Sequence, residues 1–164
     1  MCIRDRVKVI AANGSDDDFA EYRRLFEAGE TPQDEIRYLY ALTDFPDEDH
    51  LAKVATMALD GSIRSQNAPF VLAQALMHRE HGFATWVKIA ENWDSINEQF
   101  PSNTIVRMLT GIRWLTDDGH AKQVAAFFDD KPLPQGQKQL DQHLERLRVN
   151  ASFASAVQNS SSFR

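Results

Sequence analysis

Five histidines are the first residues to weigh: His50, His78, His81, His120 and His143. Only His78-Arg79-Glu80-His81 is clustered. A zinc peptidase of the H-E-x-x-H or H-x-x-E-H type needs histidines at i and i+4, so that both imidazoles meet one ion with a glutamate beside the bound water. Here the spacing is three, and Gly82 follows directly as a helix stop. Two surface histidines near a helix C-terminus, where partial positive charge is favoured, account for the run better. No metal ligand set is assigned. Cys2, the one cysteine, lies in the leading hexapeptide, and no G-x-S-x-G or Gly-rich phosphate loop is present. The carboxylate groups Asp16-Asp17-Asp18, Asp47-Glu48-Asp49 and Asp117-Asp118 each fall at an expected helix start. Capping and the helix dipole explain them better than acid–base chemistry does. Glu145-Arg146-Leu147-Arg148 reads as a solvated helix face rather than an anion site. No catalytic residue is assigned.

The elements that would position any site are helical throughout. Ser15 caps one helix, whose apolar stripe is Phe19, Tyr22 and Phe26, closed by Gly29. Thr31-Pro32 starts another, carrying Ile36, Leu39, Tyr40 and Thr43; Asp47, after Pro46, caps a third that runs to Gly61. A fourth begins near Asn67 and ends before Gly82. A longer fifth carries Phe83, Trp86, Val87, Ala90, Trp93 and Phe100 up to Pro101. Ile105, Met108, Leu109, Ile112 and Leu115 mark a sixth, Val124, Phe127 and Phe128 a seventh, and Leu140 to Ala154 a last. Trp86 and Trp93 share one helix face and suit a core rather than a stacking platform. About eight helices joined by short loops imply antiparallel hairpins. The expected fold is all-α, an irregular α-solenoid of the HEAT or armadillo kind. Residues 1–6 read as a non-native leader, 7–155 as the domain and 156–164 as a frayed polar tail.

Composition bounds the partners. The 164 residues hold 18 Lys+Arg against 24 Asp+Glu, a formal charge of −6, with 43% apolar residues. That is one well-packed domain, and its acidity argues against nucleic acid or an anionic membrane as the main partner. No apolar run approaches the ~20 residues that span a bilayer. A single cysteine suits a reducing, cytoplasmic setting. The residues alone point to a helical binding or scaffolding domain.

Six segments, in order, add a resemblance: Pro32 to Leu42, Ile63-Arg64-Ser65-Gln66-Asn67, Trp86 with Glu91-Asn92-Trp93, Phe100 to Ile105, Phe127-Phe128, and Gln142 to Asn150. Together they resemble the C-terminal helical domain of the gluzincin zinc aminopeptidases. In that family a separate domain holds the H-E-x-x-H zinc site and the G-x-M-E-N loop; this sequence contains neither. The resemblance implies a cap domain with no cofactor of its own, with zinc in the catalytic domain of a parent enzyme. Its partners would be that catalytic domain and a peptide substrate, with neither nucleic acid nor membrane. The same helices also suit a free-standing scaffold that binds a protein segment on its concave face. Tyr40 matches an aromatic position that some members turn towards the cavity, and it suits a core aromatic equally. Asp44 stands near the point where some members carry an arginine fitted to a peptide carboxylate. Arg64 and Gln66 match an Arg-x-Gln-Asp pattern with Asn67 in place of Asp, and Asn67 is expected to cap the next helix. Tyr40, Arg64 and Gln66 are therefore the candidate substrate contacts.

Overall fold

Side-chain oxygens start four of the helices where the sequence places them. Ser15 Oγ accepts from the Asp18 amide at 3.4 Å and Thr31 Oγ1 from the Asp34 amide at 3.2 Å. Asp47 Oδ1 accepts from the amides of Asp49 and His50, and Asp117 Oδ1 from that of His120. Caps of this kind each contribute about 1 kcal/mol. The computed structural model describes residues 3–29, 31–133 and 135–160, with only the backbone of Ile3 and Arg4. Its elements begin with α1 (Ile3–Ala11), α2 (Asp16–Glu27), α3 (Pro32–Ala41), a 3-10 turn (Leu42–Asp44), α4 (Glu48–Leu59) and α5 (Ala68–Leu76). There follow α6 (Gly82–Glu91), α7 (Trp93–Gln99), α8 (Ser102–Met108), a 3-10 helix (Leu109–Trp114), α9 (Asp118–Asp130) and α10 (Gln137–Asn159).

The fold is all-α and solenoid-like, with no strand among the described residues. Consecutive helices pair, α2 with α3, α4 with α5 and α9 with α10, and the pairs stack. At the centre lies α5, whose Ala68, Pro69, Val71, Leu72, Ala73, Ala75 and Leu76 are all buried. A helix apolar on nearly every side must be covered on every side. Accordingly α4, α6, α8 and the 3-10 helix all pack on it. An aromatic cluster fills each half. Phe19, Tyr22 and Phe45 meet edge to face near the N-terminus. Trp86 and Trp93, 3% and 4% exposed, pack against Phe127 and Phe128.

Five details differ from the sequence expectation. Val7 belongs to a helix of its own, α1, which starts at Ile3; Met1 and Cys2 lie outside the described residues. The fifth expected helix is two, because Asn92 leaves helical geometry (φ −105°, ψ 19°) and turns its amide back onto the Lys88 carbonyl at 2.8 Å. The stripe from Ile105 to Leu115 starts as α8 and tightens into the 3-10 helix at Leu109. Gly82 opens α6 rather than ending a helix. At the other end α10 continues to Asn159, and 161–164 lie outside the described residues.

Gly136 sets the start of α10. Its φ is +88°, and a Cβ there would fall 2.3 Å from Val106 Cγ2. Gly136→Ala is therefore expected to cost about 2 kcal/mol, about 1–2 of it from the left-handed backbone alone. Urea unfolding checks this as a lowered midpoint at unchanged slope.

Candidate functional site

The three expected contact residues lie on α3 and on the loop that enters α5. Arg37 pairs with Asp34 within the first turns of α3. One turn along from the cap, Glu35 Oε2 reaches Arg64 Nη2 at 3.5 Å, which ties α3 to the loop. The Arg64 side chain is otherwise exposed, and so is Gln66. Tyr40 is half-buried, with part of its ring against the core. Burial alone pushes its phenol above the ordinary value, so it stays a neutral O–H. Glu35 thus brings Arg64 beside Tyr40's helix, but no hydrogen bond or ion pair joins Tyr40, Arg64 and Gln66. Asn67 corrects the capping expectation. It sits at the N-cap of α5 in right-handed helical geometry, and its side chain makes no cap bond. The Arg64 carbonyl turns the chain instead, accepting from the amides of Asn67 at 2.8 Å and Ala68 at 3.0 Å.

Beside α3, Asp44 presents a carboxylate to a cleft of about 370 Å³ between α1 and the end of α5. Its Oδ2 is buried without a hydrogen bond; Lys8 Nζ lies 3.4 Å away as an ion-pair partner only. Burial raises the Asp44 carboxyl above its ordinary value and Lys8 pulls it back part of the way. A cleft that offers this carboxylate suits the carboxylate end of a peptide poorly.

The His78-to-His81 run is a turn, not a ligand set. The His81 amide donates to His78 Nδ1 at 3.1 Å, and His81 Nε2 donates to the Pro46 carbonyl at 3.1 Å. The two rings stack at 5.2 Å. This turn fastens the loop ahead of α4 to the start of α6. Burial, and then His81, hold His78 below its ordinary pKa. No group of three His, Cys, Asp or Glu side chains able to hold a metal occurs among the described residues. The side chains present do not fit a zinc site, so no chemistry is routed through one here.

A polar junction that the sequence reading passed over joins the C-terminal helices. His143 is buried on α10; its Nδ1 accepts from Arg113 Nε at 2.9 Å and Nη2 at 2.5 Å. Its Nε2 donates to the Val106 carbonyl at 3.2 Å, and Asn150 Nδ2 donates to the Arg113 carbonyl at 2.9 Å. His143, Val106 and Thr110 line a cleft of about 430 Å³. The signal available in the sequence was the position of His143 between the core leucines Leu140 and Leu144, which puts an imidazole on the buried face.

Residues 3–149 match the family model described as "ERAP1-like C-terminal domain". The chain belongs to that family. The match begins inside the expected leader and reaches just past the middle of α10. Aminopeptidase M1-B of Oryza sativa subsp. japonica is 28% identical over 141 residues, which is 84% of this chain and 15% of the rice protein. Aminopeptidase M1 of Arabidopsis thaliana is 24% identical over 149 residues, 89% of this chain and 17% of that protein. The alanine/arginine aminopeptidase of Saccharomyces cerevisiae is 21% identical over 149 residues, again 89% and 17%. The chain thus spans 15–17% of the length of these relatives. A C-terminal domain of M1 aminopeptidases explains the match; a free-standing scaffold is not favoured. No helix among the described residues is long and apolar enough to cross a membrane.

Proposed function

We propose that this ERAP1-like C-terminal domain closes over the catalytic domain of a zinc-dependent aminopeptidase, which removes N-terminal residues from peptides, and that it shapes the cavity holding the substrate. The match of residues 3–149 to the family model carries this reading. The printed names of the relatives, all aminopeptidases several times longer than this chain, support it. Zinc and the hydrolytic step belong, in this reading, to the catalytic domain, which is the partner along with the peptide. A cytoplasmic setting is part of this reading, since residues 7–155 hold no cysteine that could form a disulfide. Tyr40 is the leading substrate contact, since its neutral phenol can donate to a peptide carbonyl; Arg64 and Gln66 add exposed donors on the adjoining loop.

The test is the reading frame in which this chain lies. The protein it encodes should bind zinc and cleave aminoacyl-arylamides, whereas the 164-residue chain alone should do neither. Stoichiometric zinc and turnover in the isolated chain would overturn the proposal. So would a frame with no H-E-x-x-H. Within the active enzyme, Tyr40→Phe is expected to raise KM for peptides of several residues about threefold to tenfold, the worth of one hydrogen bond of ~1 kcal/mol. Turnover of single-residue arylamides should not change. Equal effects on both substrates, or none on either, would remove Tyr40 from the site.

A further inference from the structure

The 3-10 helix ends on Trp114, which keeps 62% of its surface in solvent although the other two tryptophans are buried. Its placement is built into the backbone. Leu115 follows at φ −80° and ψ 69°, and the Thr116 amide donates to the Trp114 carbonyl at 2.9 Å, an inverse γ-turn. The Leu115 side chain is buried and anchors that turn. Gly82 lets the floor approach closely: a Cβ there would lie 2.4 Å from the Leu76 carbonyl oxygen. Trp114 thereby walls a cleft of about 280 Å³, in which Phe83 and His120, stacked at 3.6 Å, supply a second aromatic surface.

The rim is acidic. Glu80, Asp117 and Asp118 line the cleft against one full cation, Arg79, and burial holds His78 towards its neutral form. Asp118 is matched by Lys122 at 2.6 Å. Asp117 spends Oδ1 on its own helix, with His120 Nδ1 3.9 Å away, and the ion-pair contact of Glu80 is likewise an imidazole, His81 Nε2 at 4.0 Å. An exposed indole beside two carboxylates that have imidazole neighbours but no lysine or arginine ion pair among the described residues is the chemistry that recognises a planar cation: the ring attracts the charge and a carboxylate takes the N–H fork. The volume is below the ~300–1,000 Å³ of small-molecule sites and holds one side chain, leaving a backbone outside.

We propose that the Trp114 cleft binds the arginine side chain of a peptide. The cleft lies outside the Tyr40 region, and the proposal stands or falls separately from the role as a cap domain.

Because Trp86 and Trp93 are buried, acrylamide quenching of the 164-residue chain reports on Trp114. A blocked Gly-Arg-Gly peptide should protect Trp114 from quenching, with an affinity that weakens as salt is raised. The same peptide with citrulline, which keeps the shape and loses the charge, should bind about tenfold more weakly. Asp117→Asn keeps a capping side chain and should weaken the arginine peptide roughly threefold. Trp114→Ala, followed by calorimetry, should abolish measurable binding. Equal protection by arginine and citrulline peptides, no protection up to about 10 mM peptide, or binding unchanged in both variants would each overturn the proposal.

Discussion

Gly111→Ala is expected to destabilise the protein by about 3 kcal/mol, although alanine is the better helix former. Gly111 lies within the 3-10 helix, and its φ is not among the positive ones. Backbone freedom is therefore not what requires glycine. On propensity and unfolded-chain entropy alone, the substitution would stabilise by about 0.4–1 kcal/mol. Packing decides the sign. A Cβ at Gly111 would fall 2.5 Å from the Ala73 carbonyl oxygen and 2.6 Å from Leu76 Cβ, both on α5. Neither atom is the loose end of a side chain, so the two helices would have to separate by about 1 Å to reach ordinary contact. Separation cannot stay local, because α4, α6 and α8 cover the other sides of α5. Overpacking typically costs ~1–3 kcal/mol, and a clash against main chain belongs at the upper end. Urea unfolding should show a much lower midpoint. Gly61→Ala is the control, since its φ of +87° is strained but nothing lies within 4 Å; it should lose only about 1 kcal/mol. A Gly111→Ala midpoint at or above that of the parent protein would rule out the close crossing.

The same crossing explains what the sequence could and could not convey. Four caps were readable because a cap is local: Ser15, Thr31, Asp47 and Asp117 each bond within three residues of themselves. The buried stripes, including Trp86 and Trp93, were readable because periodicity reports a face directly. The tightening at Leu109 was not, since Ile105 to Leu115 keeps helical spacing throughout and the departure depends on where α5 lies. Asn67 misled for a related reason. Its residue type favours capping, but the Arg64 carbonyl already makes the turn. At the candidate site the segments around Tyr40 and Arg64 were legible as a resemblance. The Glu35–Arg64 contact that joins them spans 29 positions in sequence and needs the fold. The Trp114 cleft was least legible of all, because it draws on residues from His78 to Gln158 that no local pattern connects.

His143 carries the second large effect, and it has a pH signature. The Arg113 guanidinium gives two hydrogens to Nδ1, so the proton of the neutral ring must sit on Nε2, where it meets the Val106 carbonyl. Protonation at Nδ1 would remove the acceptor and set an imidazolium against the guanidinium. Burial first, and Arg113 second, hold the His143 pKa below its ordinary 6.5. In the unfolded chain the group protonates near 6.5, while in the folded chain it does so only at lower pH. Between those values the unfolded state holds more protons, so stability is intact above the ordinary value and is lost as pH falls through the interval below it. His78 is depressed too and acts in the same window. Asp44 acts in the opposite sense, because its raised carboxyl favours the folded state as it protonates, from the ordinary carboxylate range upward. Stability measured from about pH 7.5 to about pH 5 should therefore fall. At the upper end, His143→Ala should cost about 3 kcal/mol, the sum of a cavity in α10's buried face and of stranded partners on Arg113 and Val106. The variant's stability should fall less steeply over the same interval, with His78 as the remaining histidine that is held neutral. His78→Gln in the same background should flatten the curve further. A parent protein whose stability is level or rises between those two pH values, or a His143→Ala variant with the parent's slope, would refute the neutral, clamped imidazole at the junction of α8, α10 and the 3-10 helix.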